Sequence, residues 1–246
     1  MSDHLLRRTA TDEATLSGLP GVFLSHRWVA LTYRIVALII VGMGIIRISK
    51  VFSAEPVWNS FLFYTVQSNL LCLIWLMILI SRTLRDLRQA GPRGASVPST
   101  RWAAAVTMSI TVTLLIYVLV LAPSDFVQSG DYVPFSLTDT LVHVVTPALL
   151  ILDWLFFVPK GTLRPRDPAL WLLIPLVYVI FALVAGGLGA EFFPAVHYPY
   201  PFMDVSQHGY PRVIVNALFM GVALLIVGYL LLLIDRLLAR IPLRNS

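Results

Sequence analysis

Residues 141–157 read LVHVVTPALLILDWLFF, a run interrupted by few polar groups, chiefly His143, Thr146 and Asp153. A hydrocarbon core roughly 30 Å thick is crossed by about 20 apolar residues in a helix. With its flanks the run covers 139–158, and five further segments share its character, near 29–48, 59–80, 103–122, 170–189 and 213–234. Their apolar residues recur at helical spacing or fill whole turns, whereas a membrane barrel would show many stretches of about ten strictly alternating residues. The composition agrees: 58% hydrophobic and 13% charged residues, with a mean hydropathy of +0.81, against roughly 25% charged residues in soluble domains. The expected fold is all-α, a polytopic membrane protein of six transmembrane helices.

The charges orient this bundle, because short cytoplasmic loops carry an excess of Lys and Arg. Arg7, Arg8 and Arg27 precede the first span; Arg82, Arg85, Arg88, Arg93 and Arg101 surround the second loop. Lys160, Arg164 and Arg166 fill the fourth loop, and Arg236, Arg240 and Arg244 follow the last span. The alternate loops hold only Lys50 and Arg212, and the third loop carries Asp125 and Asp131. Both termini are therefore expected in the cytoplasm, with 1–28 as a polar N-terminal segment, 29–235 as one transmembrane domain and 236–246 as a basic tail. The net charge of +5 is a matter of topology, and no nucleic-acid partner is expected. The first 28 residues lack an apolar core followed by a small-residue cleavage site, so no cleaved signal peptide is expected. RQAGPRGASVPST at 88–100 reads as a flexible loop.

Ionisable and polar groups inside spans are costly and mark functional positions. His143 is the strongest of them. In the second span Thr65, Ser68, Asn69 and Cys72 share one helix face. Both segments enter from the outer side, and counting residues puts Thr65 and His143 at one depth, roughly 6–9 Å below the boundary. Pro147 removes the hydrogen bond to the carbonyl of His143, so the helix is expected to open there. A threonine beside a histidine can act as nucleophile and base, and Ser68, one turn on, is an alternative nucleophile. Arg34 and Asp153 lie nearer the inner side and are expected to neutralise one another as a structural ion pair. Arg47, level with the threonine and histidine, is either an interfacial anchor or a docking point for a substrate carboxylate. Asp139 either orients the imidazole or caps its helix. Asn69 and Asn216 could donate to an oxyanion. The aromatic and proline-rich stretch at 190–212 could roof a cavity with Tyr198 and Tyr200. No cofactor or metal is expected: Cys72 is the single cysteine, and His143, His197 and His208 have no ligand spacing.

YTVQSNLL at 64–71, HVVTPALLILDW at 143–154 and YPYPFMDV at 198–205 resemble the androgen-induced membrane proteins, the androgen-dependent regulators of tissue factor pathway inhibitor and their bacterial relatives. The resemblance extends over the six-span core. It implies a multipass hydrolase of lipid esters, such as fatty acid esters of hydroxy fatty acids, with Thr65 as nucleophile and His143 as base. Asp153 matches the family's acidic residue ten positions after the histidine, while the proline register around it differs. The implied partners are the bilayer and a fatty-ester substrate. For a bacterial source the implied location is the cytoplasmic membrane, with the site toward the outer leaflet. The competing expectation is a transporter, channel or sensor whose polar groups line a cavity open to the outer side.

Overall fold

The computed structural model describes residues 22–123 and 135–241. Arg7, Arg8, Asp125, Asp131 and Arg244 lie outside the described residues. Six helices are long and apolar enough to cross a membrane: α1 Arg27–Ser49, α2 Tyr64–Ala90, α3 Thr100–Leu121, α4 Leu137–Phe157, α5 Asp167–Gly187 and α6 Val205–Leu238. No strand occurs among the described residues.

Local chemistry sets the helix ends. Lys50 turns left-handed (φ 47°) and stops α1. Ser99 accepts from Trp102 N at the start of α3, Ser136 from Asp139 N at the start of α4, and Asp204 from Ser206 N and Gln207 N at the start of α6. Each side chain satisfies a backbone donor that the first helical turn leaves open. The Ser206 hydroxyl, together with these backbone donors, holds the Asp204 carboxyl below the usual carboxylate range, against its partial burial. Gly209 (φ 68°), just ahead of Pro211, breaks α6 near its start, so its long straight part begins close to the predicted boundary at 213.

The helices alternate in direction, as bonds between their ends show. At one end Leu24 N donates to Phe156 O, Arg27 to Ala90 O and Gly91 O, and Gly161 N to the Asp235 carboxylate. Thr162 also bonds Thr100, and Arg101 pairs with Asp167. At the other end Arg47 meets Thr138, and Asn59 meets Glu191 O. The first end carries the many loop arginines. The loop at 88–100, expected to be flexible, is pinned there: buried Arg27 binds Ser96 Oγ, Gly94 N binds Ser25 O, and Arg34 binds Ser96 O. A cation buried beside unpaired carbonyls draws the loop in.

The core lies among α1–α4, where Ala37, Val41, Leu76, Leu79, Ala104, Ile110 and Leu150 are buried. With little hydrophobic drive between helices in lipid, small side chains and buried polar bonds hold them together. Arg34 Nε lies 2.8 Å from Asp153 Oδ1, and Arg34 also reaches Thr83 Oγ1 at 2.8 Å and Ser96 O at 3.1 Å. This ties α1, α2 and α4 at the basic end. α5 and α6 are the least buried helices and carry most of their large apolar side chains outward.

Candidate active site

Two irregular helical turns meet at the opposite end of the bundle. Tyr117–Leu121 closes α3 as a π-turn, and Leu141–Val145 interrupts α4 as another. A π-turn carries one residue too many for the α-helical ladder, and such turns are frequent at functional sites. In α4 the wide turn directly precedes Pro147, the residue expected to open the helix. Gly44 of α1 lets it approach closely, since a Cβ there would stand 3.1 Å from Val142 Cγ1.

His143 lies in this turn, and Thr65 faces it from α2. The structure corrects the sequence estimate of where α2 begins. Trp58–Leu62 is a separate 3-10 turn, Phe63 is extended, and α2 starts at Tyr64. Thr65 therefore stands in the first turn of α2 rather than one and a half turns inside it. Thr65 Oγ1 is 3.1 Å from His143 Nε2, and His143 Nδ1 is 3.1 Å from Asp139 O. A carbonyl can only accept, so Nδ1 carries the proton and donates to Asp139 O. Nε2 is left with its lone pair directed at the threonine hydroxyl, which donates to it. The Asp139 carboxylate lies 3.6 Å from Nδ1, too long for a good hydrogen bond. The Tyr117 ring stacks on the imidazole at 4.2 Å and 11°, and its hydroxyl accepts from Phe135 N. Base, tautomer and ring plane are thus fixed by three separate contacts.

The other polar residues divide into those at the site and those away from it. Ser68 donates to Thr65 O and pairs with Thr113 Oγ1 at 2.8 Å; the histidine's bond goes to Thr65. The Asn69 amide donates to Thr65 O and Val142 O, tying α2 to α4. Only its buried Oδ1 is without a hydrogen-bond partner among the described residues, and an acceptor cannot serve an oxyanion. Asn216 donates to Phe202 O, outside the site. Arg47 is exposed and donates to Thr138 Oγ1 at 3.3 Å. Tyr198 packs over Gly186 at the end of α5, while Tyr200 is buried and lines the same cavity wall as Thr65 and Tyr178. Burial pushes the Tyr200 hydroxyl up to about 12, with those two neighbours pulling it partly back, so it is a proton donor at neutral pH. His197 and His208 are exposed, and no set of three potential ligands is arranged to hold a metal among the described residues.

An apolar cavity of about 480 Å³ adjoins Thr65, lined chiefly by α3, α5 and α6. That is within the range of small-molecule sites. Thr65, Thr113, Tyr64, Tyr178 and Tyr200 supply its polar groups, and the rest of the wall is aliphatic or aromatic carbon. Three contributors lacked a sequence signal. Tyr117 and Tyr178 sit singly in apolar runs, and Thr113 belongs to a span in which threonines bond their own helix, as Thr107 and Thr111 do. Family models, curated proteins and solved structures, compared with the chain, give no match.

Proposed function

We propose that the protein is an integral membrane hydrolase of lipid carboxylic esters, with Thr65 as nucleophile and His143 as general base. The observation that carries this reading is the bond from the Thr65 hydroxyl to a histidine whose tautomer is set by Asp139 O, at the polar end of an apolar cavity. A threonine hydroxyl needs such a base to become nucleophilic. Thr65 Oγ1 attacks the ester carbonyl and its proton passes to His143 Nε2. The tetrahedral oxyanion is met by the Tyr200 hydroxyl and by the N–H groups of Tyr64 and Thr65 at the positive end of the α2 dipole, since Val66 N and Gln67 N already donate to Phe63 O. The acyl–oxygen bond breaks, and His143 returns the proton to the departing alkoxide. Water, deprotonated by the same imidazole, then releases the acid and restores Thr65. The distribution of arginines supports placing both termini in the cytoplasm and the site in the outer leaflet. The resemblance to the androgen-induced hydrolases supports fatty acid esters of hydroxy fatty acids as one substrate class.

The test is covalent labelling of purified protein in nanodiscs with an alkyl fluorophosphonate. Labelling is expected on Thr65, absent in Thr65→Ala and slowed at least a hundredfold in His143→Ala, about the contribution of a general base. Modification of Ser68 instead would move the nucleophile by one turn. A wild-type protein that neither labels nor cleaves a long-chain ester would overturn the reading and favour a lipid transporter or sensor.

A further inference from the structure

At the basic end α5 and α6 are in contact, and Gly228 of α6 allows it: a Cβ there would stand 3.0 Å from Pro168 Cβ. Beyond that contact Leu173–Gly187 of α5 packs little on α6, and the cavity lies between them. Its wall runs from Ala169 to Val179 on α5 and from Val213 to Leu225 on α6, roughly 15–18 Å at the α-helical rise. The slot therefore lies along the direction in which lipid chains lie. Leu173, Leu176, Leu218 and Val222 line the cavity and are also 52%, 51%, 66% and 59% exposed. Side chains that face a cavity and the exterior at once are the rim of an opening, and here that exterior is the bilayer. Gly221, also in the wall, has nothing within 4 Å of where its Cβ would be.

We propose that the slot between α5 and α6 is a lateral acyl-chain site, which admits one hydrocarbon chain of an outer-leaflet lipid ester between Leu176 and Leu218 and brings its carbonyl to Thr65. The delivery of an ester rests on the hydrolase reading; occupancy of the slot by a chain does not. An apolar cavity of this size holds water poorly and takes apolar ligands.

The experiment uses Thr65→Ala protein in phosphatidylcholine nanodiscs doped with a long-chain fatty ester bearing a diazirine in its acyl chain. After illumination, adducts are mapped by mass spectrometry. Adducts are expected to concentrate on Val179, Met220 and Leu224, at least fivefold above Ile39, which faces outward from α1. Gly221→Phe and Ala217→Phe, each placing a ring in the slot, are expected to cut slot labelling at least fivefold and leave Ile39 labelling unchanged. Equal labelling of slot and Ile39, or slot labelling indifferent to both substitutions, overturns the proposal. Because the nucleophile is absent here, these results stand apart from fluorophosphonate labelling of the wild type, which tests the hydrolase.

Discussion

Replacing Asp153 by Asn is the sharpest test of what holds α4 in place. Arg34 is fully buried and, among the described residues, has one carboxylate partner, at 2.8 Å, besides Thr83 Oγ1 and Ser96 O. Removing one member of a buried ion pair costs roughly 3–5 kcal/mol, because the remaining charge is left uncompensated. The two neutral acceptors still bind the guanidinium, so the expected loss is at the low end, about 3 kcal/mol, or roughly a hundredfold in the folding equilibrium. Reversible unfolding in mixed micelles, followed by the fluorescence of the six tryptophans, measures it. The double variant Arg34→Met with Asp153→Leu is expected to recover most of the loss, since no charge remains buried. Fluorophosphonate labelling of the folded Asp153→Asn fraction should stay near wild type, because the pair lies ten residues along α4 from His143. A loss of under about 1 kcal/mol, or a double variant as unstable as the sum of its singles, would refute this account.

Other consequences are as open to measurement. Tyr200→Phe removes the proposed oxyanion donor and should slow fluorophosphonate labelling about a hundredfold; an unchanged rate removes Tyr200 from the mechanism. Gly186→Ala would put a Cβ 2.4 Å from His197 O and 2.7 Å from the Tyr198 ring. It should lower the melting temperature and displace the segment bearing Tyr200, whereas Gly187→Ala, open within 4 Å, should do neither. Lys160, in the connection between α4 and α5, is pushed down to about 8 from its ordinary 10.5 by burial. The unfolded chain then binds this proton more tightly, so stability should rise as pH increases through that interval. Thermal melts of the wild type and of Lys160→Met at pH 7 and 10 check this, and the variant should lack the increment.

Hydropathy alone located all six spans, because lipid demands an apolar length and a helix that satisfies its own backbone. It misjudged where polar detail decides. The sequence 59–63 is apolar enough to extend the second span, yet it forms a 3-10 turn and an extended residue, which delivers Thr65 to a helix entrance. Thr65 and His143 were legible as partners from the direction of their helices and their common end of the bundle, though not from the residue count, since Thr65 is the second residue of α2 and His143 the seventh of α4. Tyr117 was not, since its contact with the imidazole depends on π-turns that no periodicity announces. The donor capacity of Asn69 and Asn216 was equally hidden, because which carbonyl claims an amide is a tertiary fact. Arg27 looked like a topology signal and proved to clamp a loop.

Between Thr65–His143 near one end and Arg34–Asp153 near the other, α4 is fastened twice, like a shaft keyed to two gears. The π-turn absorbs its surplus residue within one wide turn, so deleting Val144 would let the turn relax to ordinary α-helix with its flanks in nearly the same phase, and only the opening at His143 would be lost. A residue added between 148 and 152, where α4 is regular, would instead rotate everything beyond it by about 100°. The chain could then meet one anchor and would have to abandon the other. Length within 148–152 is therefore constrained more tightly than residue identity: apolar exchanges there are tolerable, and single-residue insertions are not.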